Sequence, residues 1–252
     1  MRPALRLVVA STKMFLRSPD VLLAAVLLPG VYVALIQLLR RLDFVVHAVT
    51  IGAAGFMAVG VATGLVAFVN EHTAVAAAAT YKATGTLQRI AVTPLRPATF
   101  IAAHAIPRVA AALVESVVVL VVVRALGIHL HLGLGLLAAL PLVLLMTLIA
   151  LSLGFAIAGH ARTAQGANQL DTFLGGPVFL LSGAFFPITG FPDWLRQAAE
   201  YAIPYTAPME AIRGILSQGQ SLDHFPRQLA VGVVWLVLAA ALAARTYRFT
   251  ET

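Results

Sequence analysis

Of 252 residues, 60% are hydrophobic and only 11% are charged, with a mean hydropathy of +0.93, values that exclude an ordinary soluble domain and a disordered chain and indicate a polytopic membrane protein. The formal net charge of +7 is spread over the ends of apolar runs rather than gathered with aromatics on one surface, so it speaks for membrane orientation and against nucleic acid. The chain has no cysteine, which excludes disulfides, Fe–S clusters, thiolate zinc sites and cysteine nucleophiles.

The first residues could pass for a signal peptide, but Lys13 and Arg17 interrupt the apolar patch at Leu7 to Ala10 and no cleavage site follows. Arg2, Arg6, Lys13 and Arg17 fall within roughly 60° on a helical wheel, away from Leu7, Val8, Met14 and Phe15. That pattern predicts an interfacial amphipathic helix ended by Ser18 and Pro19, the alternative being a cytoplasmic extension of the first span.

A membrane span needs about 20 apolar residues. Six segments qualify: Val21–Leu39, Phe44–Val69, Ile101–Leu126, Leu132–Ala158, Leu170–Phe186 and Gln228–Ala244. The fold class is therefore an all-α polytopic membrane protein, a single transmembrane domain over residues 1–252. Six spans put both termini on one side. That side collects Arg2, Arg6, Lys13, Arg17, Lys82, Arg89, Arg96, Arg162, Arg245 and Arg248, against Arg40, Arg41, Arg124, Arg196, Arg213 and Arg227 opposite, and the positive-inside rule makes it cytoplasmic.

Between spans two and three, Asn70 to Phe100 begins with Glu71 and His72, runs through the helix-favouring Ala74–Thr80, breaks at Gly85 and ends at Pro94 and Pro97. It suits either a short helix lying across the inner surface, where a partner could push on it, or a plain solvated loop. In span three, His104, Arg108 and Glu115 lie within about 40° of one another and form a polar stripe. The stripe either lines a path or senses protons, or has Arg108 and Glu115 satisfied by each other or by neighbouring helices. His129 and His131 form an HxH turn with no third ligand nearby, so no metal site is expected. Asp171, beside Gln165, Asn168 and Gln169, reads as a solvated helix end. Gly175, Gly176, Pro177 and Gly183 make span five tightly packed or kinked.

Two stretches resemble one known family. Gly85–His104, GTLQRIAVTPLRPATFIAAH, is similar to the cytoplasmic segment of ABC-2 type permeases, the membrane subunits of a class of ATP-binding-cassette exporters. The outer stretch resembles the same family between spans five and six, in Gly183, Phe186-Pro187, Pro192-x-Trp194-Leu195, Pro204 and Glu210-Ala211-x-Arg213-Gly214. The acidic-basic-acidic run common before the Gly-Thr is here Tyr81, Lys82, Ala83 and Thr84, and Gln88 replaces a frequent glutamate, which shifts acidic partner contacts toward Glu71.

The resemblance implies a permease subunit exporting hydrophobic or amphipathic compounds, such as a drug, an antibiotic or a lipid, across a bacterial inner membrane. It implies two permease chains, as homodimer or heterodimer, and two ATPase subunits that hold the ATP and Mg, with no cofactor on this chain. The sequence agrees in lacking a GxxxxGK[ST] phosphate loop, and it lacks GxSxG and HExxH as well. The coupling segment would comprise Glu71, His72, Gly85, Thr86, Leu87 and Arg89. Short re-entrant helices over Pro192–Tyr201 and Ala207–Ser217 would form an outer gate with Phe185, Phe186, Pro187, Trp194, Tyr201 and Tyr205, the last three aromatics anchoring it at the interface. The rival readings are a proton- or ion-coupled carrier using Arg108 and Glu115, export of polysaccharide or lipid-linked glycan, and an anchoring protein without transport. No internal repeat is evident, which counts against many secondary carriers.

Overall fold

The segment Leu134–His160 carries no charged side chain before its terminal histidine, so no face of it prefers water and it forms a helix about 40 Å long that the others surround. The computed structural model describes residues 3–17, 30, 31, 34, 51–86, 88, 92, 97–184, 188 and 191–247. In chain order these give α1 (Pro3–Leu16), α2 (Ile51–Val59), a π-helical stretch (Gly60–Leu65), α3 (Val66–Ala83), α4 (Pro97–Ala125), the central α5 (Leu134–His160), α6 (Ala164–Leu181), α7 (Asp193–Ala202), α8 (Thr206–Gln218) and α9 (Pro226–Thr246). α5 packs against α3, α4, α6, α8 and α9, and its Leu142, Met146, Ile149 and Ala150 are completely buried.

Among the described residues four helices are long and apolar enough to cross a membrane: Gly55–Ala83, Thr99–Ala125, Leu134–His160 and Pro226–Thr246. The first span expected from sequence lies outside the described residues apart from positions 30, 31 and 34, which are helical. The fifth corresponds to α6, whose first half holds Gln165, Asn168, Gln169 and Asp171. The second differs in its end. Helix was expected to leave the bilayer at Val69, yet α3 runs on to Ala83 with Asn70, Glu71, Ala74, Val75 and Ala78 buried. The polar triplet at Asn70 that resembled a membrane exit is accommodated inside the bundle.

Backbone closeness at glycines sets how the helices meet. At the end of α5, Gly159 lies against the backbone of Thr246 and Tyr247, where an added Cβ would come within 2.6 Å of the Thr246 carbonyl carbon. Tyr247, buried there, donates from its phenol to the Ala78 carbonyl at 3.1 Å, and burial holds its pKa above the ordinary phenol value. Its ring stacks near Phe100 and meets Phe155 edge-on, while Lys82 Nζ donates to the Ala161 carbonyl at 2.9 Å. α1 lies along α4, with Ser11 Oγ 3.4 Å from His104 Nε2. Lys13 and Arg17 are exposed, as a surface-lying amphipathic helix requires.

The chain after α6 folds into a helical hairpin. α7 and α8 cover the two stretches expected to form short helices, joined through Ile203, Pro204 and Tyr205. α8 is buried along most of its length and lies beside α5, α9 and the π-helical stretch. At one end Tyr205 reaches Glu71 in the first third of α3, and at the other the His131 amide donates to the Leu216 carbonyl at 2.7 Å.

The π-helical stretch makes room for this hairpin. A Cβ on Gly60 would stand 1.8 Å from the Ala184 carbonyl oxygen, whereas one on Gly64 would meet the methyl end of Met209 at 2.4 Å. Backbone cannot step aside, but a methionine tip can turn. Gly60→Ala is therefore expected to destabilise the protein by about 1–3 kcal/mol and Gly64→Ala by clearly less, read as melting temperatures of the detergent-solubilised chain.

Candidate functional site

Successive residues on an α-helix point about 100° apart, so three polar residues in a row must find three different partners. On α3, Asn70, Glu71 and His72 do so. Asn70 Nδ2 donates to the Val66 carbonyl at 2.9 Å and to Glu115 Oε2 on α4 at 3.4 Å. The Tyr205 phenol donates to Glu71 Oε2. His72 Nδ1 lies 2.5 Å from Asp171 Oδ2 on α6. Glu71, Tyr205 and Asp171 are buried, and His72 is half-exposed.

This arrangement corrects two sequence expectations. Asp171 is not a solvated helix end: its relative exposure is 0%, and its Oδ1 has no hydrogen-bond partner among the described residues. Tyr205 is not an interfacial anchor, because its phenol points into the bundle to Glu71. Trp194 and Tyr201, with relative exposures of 71% and 54%, do stand on the outside of the hairpin. Trp235 Nε1 donates to the Tyr201 carbonyl at 2.9 Å, and Arg227 pairs with Glu200 while lying 4.9 Å from the Tyr201 ring centroid, which fastens α7 to α9.

The coupling residues proposed from sequence divide in the same way. Glu71 is buried and His72 half-exposed in the middle of the bundle, whereas Gly85, in a left-handed conformation at φ 68°, and Thr86, whose hydroxyl is 2.9 Å from that of Thr84, lie where α3 ends. Leu87 and Arg89, like Phe185, Phe186 and Pro187 of the expected gate, lie outside the described residues.

The α4 stripe is shared among several neighbours. His104 faces Ser11 of α1 and lies 3.0 Å from the Phe100 carbonyl through Nδ1, Arg108 Nη1 donates to the His104 carbonyl at 3.1 Å, and Glu115 is held by Asn70. Asn70, on a neighbouring helix, meets one oxygen of Glu115, while the other, Oε1, is buried with no hydrogen-bond partner among the described residues.

Arg213 is a functional-looking residue to which the sequence assigned no role. Its Nη2 donates to the carbonyls of Gly183 at 2.5 Å and Ala184 at 2.9 Å, its Nε donates to Phe56 at 3.4 Å, and its guanidinium lies 3.5 Å from the Phe56 ring centroid. These carbonyls belong to the turn that follows α6 and its cap Ser182, where Gly183 takes a left-handed conformation at φ 82°. The signal for Arg213 was an arginine in a mostly apolar helix, 30 residues from a glycine of the same motif.

Two cavities flank α6. One, of about 1290 Å³, lies on its exposed face and is lined by Gln165, Asn168, Gln169, Thr172 and Phe173 together with His72. The other, of about 460 Å³, lies between α5, α6, α9 and the hairpin turn and includes Glu71, Tyr205 and Trp235. Leu174 and Val178 border both. Among the described residues no group of three histidines or carboxylates is placed to hold a metal ion.

A membrane helix bundle with these features matches a known class of transport component. The profile of the ABC-2 type transporter family covers residues 4–217, and the chain belongs to that family. It is thus a permease component of a transporter, a kind of domain that contains no ATPase and normally works with an ATP-binding subunit. A search of curated proteins returns no match to it.

Because the Glu71 carboxyl is buried with Tyr205 as its donor, Tyr205→Phe should lower unfolding free energy by about 1–3 kcal/mol, the cost of leaving a buried acceptor unmade. Adding Glu71→Leu to that variant should recover part of the loss, since removing both partners costs less than removing one. Chemical denaturation of the single and double variants measures both effects.

Proposed function

We propose that this chain is the membrane subunit of an ATP-driven exporter and that two copies enclose the transport path along the exposed face of α6. The observation that supports this reading is the two-sidedness of that helix. Ala167, Asp171, Gly175 and Phe179 form its buried edge, while Gln165, Gln169 and Thr172 are exposed beside His72. Amide and hydroxyl groups are costly against lipid tails, so this face calls for a second copy or for water.

In this reading the basic end of the bundle, with Lys82, Arg162 and Arg245, faces the cytoplasm of a bacterial cell, as do both termini. The hairpin of α7 and α8 then enters from the outer leaflet and reaches α3 about 18 Å from the end of that helix, counting helical rise from Glu71 to Ala83. With Arg213 holding the turn that follows α6, it forms the outer gate. Energy comes from two copies of a separate ATPase that bind ATP and Mg. The substrates are hydrophobic or amphipathic compounds, a class supported by the sparse fixed charge and by the cavity between α5, α6 and α9.

Two measurements test this. The chain lacks cysteine, so Gln169→Cys and Thr172→Cys each introduce a single thiol, and oxidation or a short bis-maleimide should join two copies through at least one of them. Absence of cross-linked dimer at both positions removes the shared path along α6. In the segment Gly85–His104, replacing Leu87 and Arg89 together with Asp should leave membrane insertion intact and abolish stimulation of the co-purified ATPase. Normal stimulation by that variant would count against ATPase docking there.

A further inference from the structure

The cavity behind α6 has an unusual electrical character for a space among membrane helices. Its walls are mostly aliphatic, supplied by Leu153, Ile157, Val178 and Leu242, with the side chains of Trp235 and Tyr205 and a single carboxyl, Glu71. No lysine or arginine is among its described lining residues, and His160 contributes the only basic side chain. A volume of about 460 Å³ is in the range of small-molecule sites. Leu174 and Leu242 line it and are 45% and 44% exposed, so it opens sideways from the bundle.

Glu71 is under-coordinated in this setting. A carboxylate offers about four acceptor positions, and Tyr205 fills one of them at Oε2. Among the described residues Tyr205 is the one donor found for this carboxyl, and Glu71 as a whole is 2% exposed. A buried carboxylate is stabilised by a cation brought beside it, and is made worse by an anion. The phenol ring of Tyr205 at the carboxyl and the indole of Trp235 on the same cavity wall add a second attraction for positive charge and a flat surface for an apolar body.

We propose that the cavity between α5, α6, α9 and the α7–α8 turn is a binding site for lipophilic cations, with Glu71 as counter-ion and Trp235 and Tyr205 as the aromatic wall. This deepens the export reading above and rests on it for why a permease would hold such a ligand. An acid or a phosphate ester would meet a carboxyl and no fixed positive charge. A neutral hydrocarbon would fill the apolar walls and leave Glu71 with its single donor. An ammonium or phosphonium on an apolar body satisfies both parts of the site. The ammonium could come from a drug-like amine or from an aminolipid headgroup, and the two are separable by experiment.

Radiolabelled tetraphenylphosphonium and the anion of the same shape, tetraphenylborate, probe the charge preference directly on the full-length chain in phosphatidylcholine nanodiscs. The phosphonium should bind saturably, and tetraphenylborate should fail to displace it. Glu71→Gln keeps an acceptor for Tyr205 and should weaken binding at least tenfold. Leu153→Trp, which fills the cavity and leaves Glu71 in place, should weaken it as strongly. Displacement of the probe when phosphatidylethanolamine replaces phosphatidylcholine would support the site and identify the lipid headgroup as its natural cation, whereas unchanged binding would support a soluble lipophilic amine. Equal binding by the wild-type chain and Glu71→Gln, with both shown folded by their melting profiles, would overturn the proposal, and so would equal displacement by tetraphenylborate. No ATPase is present in this measurement, so its failure leaves the cross-linking and coupling results standing, and their failure leaves it standing.

Discussion

Three consecutive polar residues in the middle of a buried helix impose the main constraint on this molecule. Asn70, Glu71 and His72 diverge around α3 and cannot share a partner, and in an apolar interior each unmet group costs more than its hydrogen bond returns. Glu115 must therefore come from α4, Tyr205 from the hairpin and Asp171 from α6. Apolar packing alone would tolerate sliding of these helices along one another. The directional contacts do not, and they fix α4, α6 and the hairpin tip at one level of the bundle.

Close backbone approach supplies the second constraint. Helix association among lipids gains little from burying apolar surface, so it depends on tight contact and hydrogen bonds. Gly154 faces the Glu71 carbonyl, Gly159 faces Thr246, and Gly60 faces Ala184. The last contact coincides with the π-helical turn, where the wider coil displaces the ladder of α2 and α3, and Thr63 Oγ1 donates to the Val59 carbonyl at 2.8 Å. Arg213 donates to the carbonyl of the same Ala184 beside Gly60. The hairpin is thus clamped at its base by a cation on carbonyls and at its tip by a phenol on a carboxyl.

Periodicity and length made the architecture legible: the apolar run of α5, the amphipathic α1 and the Pro-punctuated pair α7 and α8 all lie where the sequence places them. The errors share one physical origin. A polar residue inside an apolar run was read as a membrane boundary, because hydropathy counts a side chain without its partner. Asp171 and Glu71 are interior because His72 and Tyr205 are there to meet them, and those partners are 99 and 134 residues away. Sequence spacing along one helix cannot reveal such a pairing. The Arg213 clamp was hidden for the same reason, since its acceptors are backbone carbonyls, which every residue possesses.

The position of α6 between two cavities gives these contacts a mechanical meaning. Leu174 and Val178 border both the polar cavity on its exposed face and the apolar one behind it, so the partition between them is one helix thick. At that level the helix holds Gly175, Gly176 and Pro177, and the proline removes the amide that would bond to the Phe173 carbonyl one turn earlier. The helix is thus least stiff where it separates the two spaces. Below this point α6 is tied to α3 through Asp171, and above it the turn that follows α6 is tied to α8 through the Gly183 and Ala184 carbonyls. A displacement of α3 or of the hairpin loads the two halves of α6 separately, and the bend has to fall at the glycine–proline step between them.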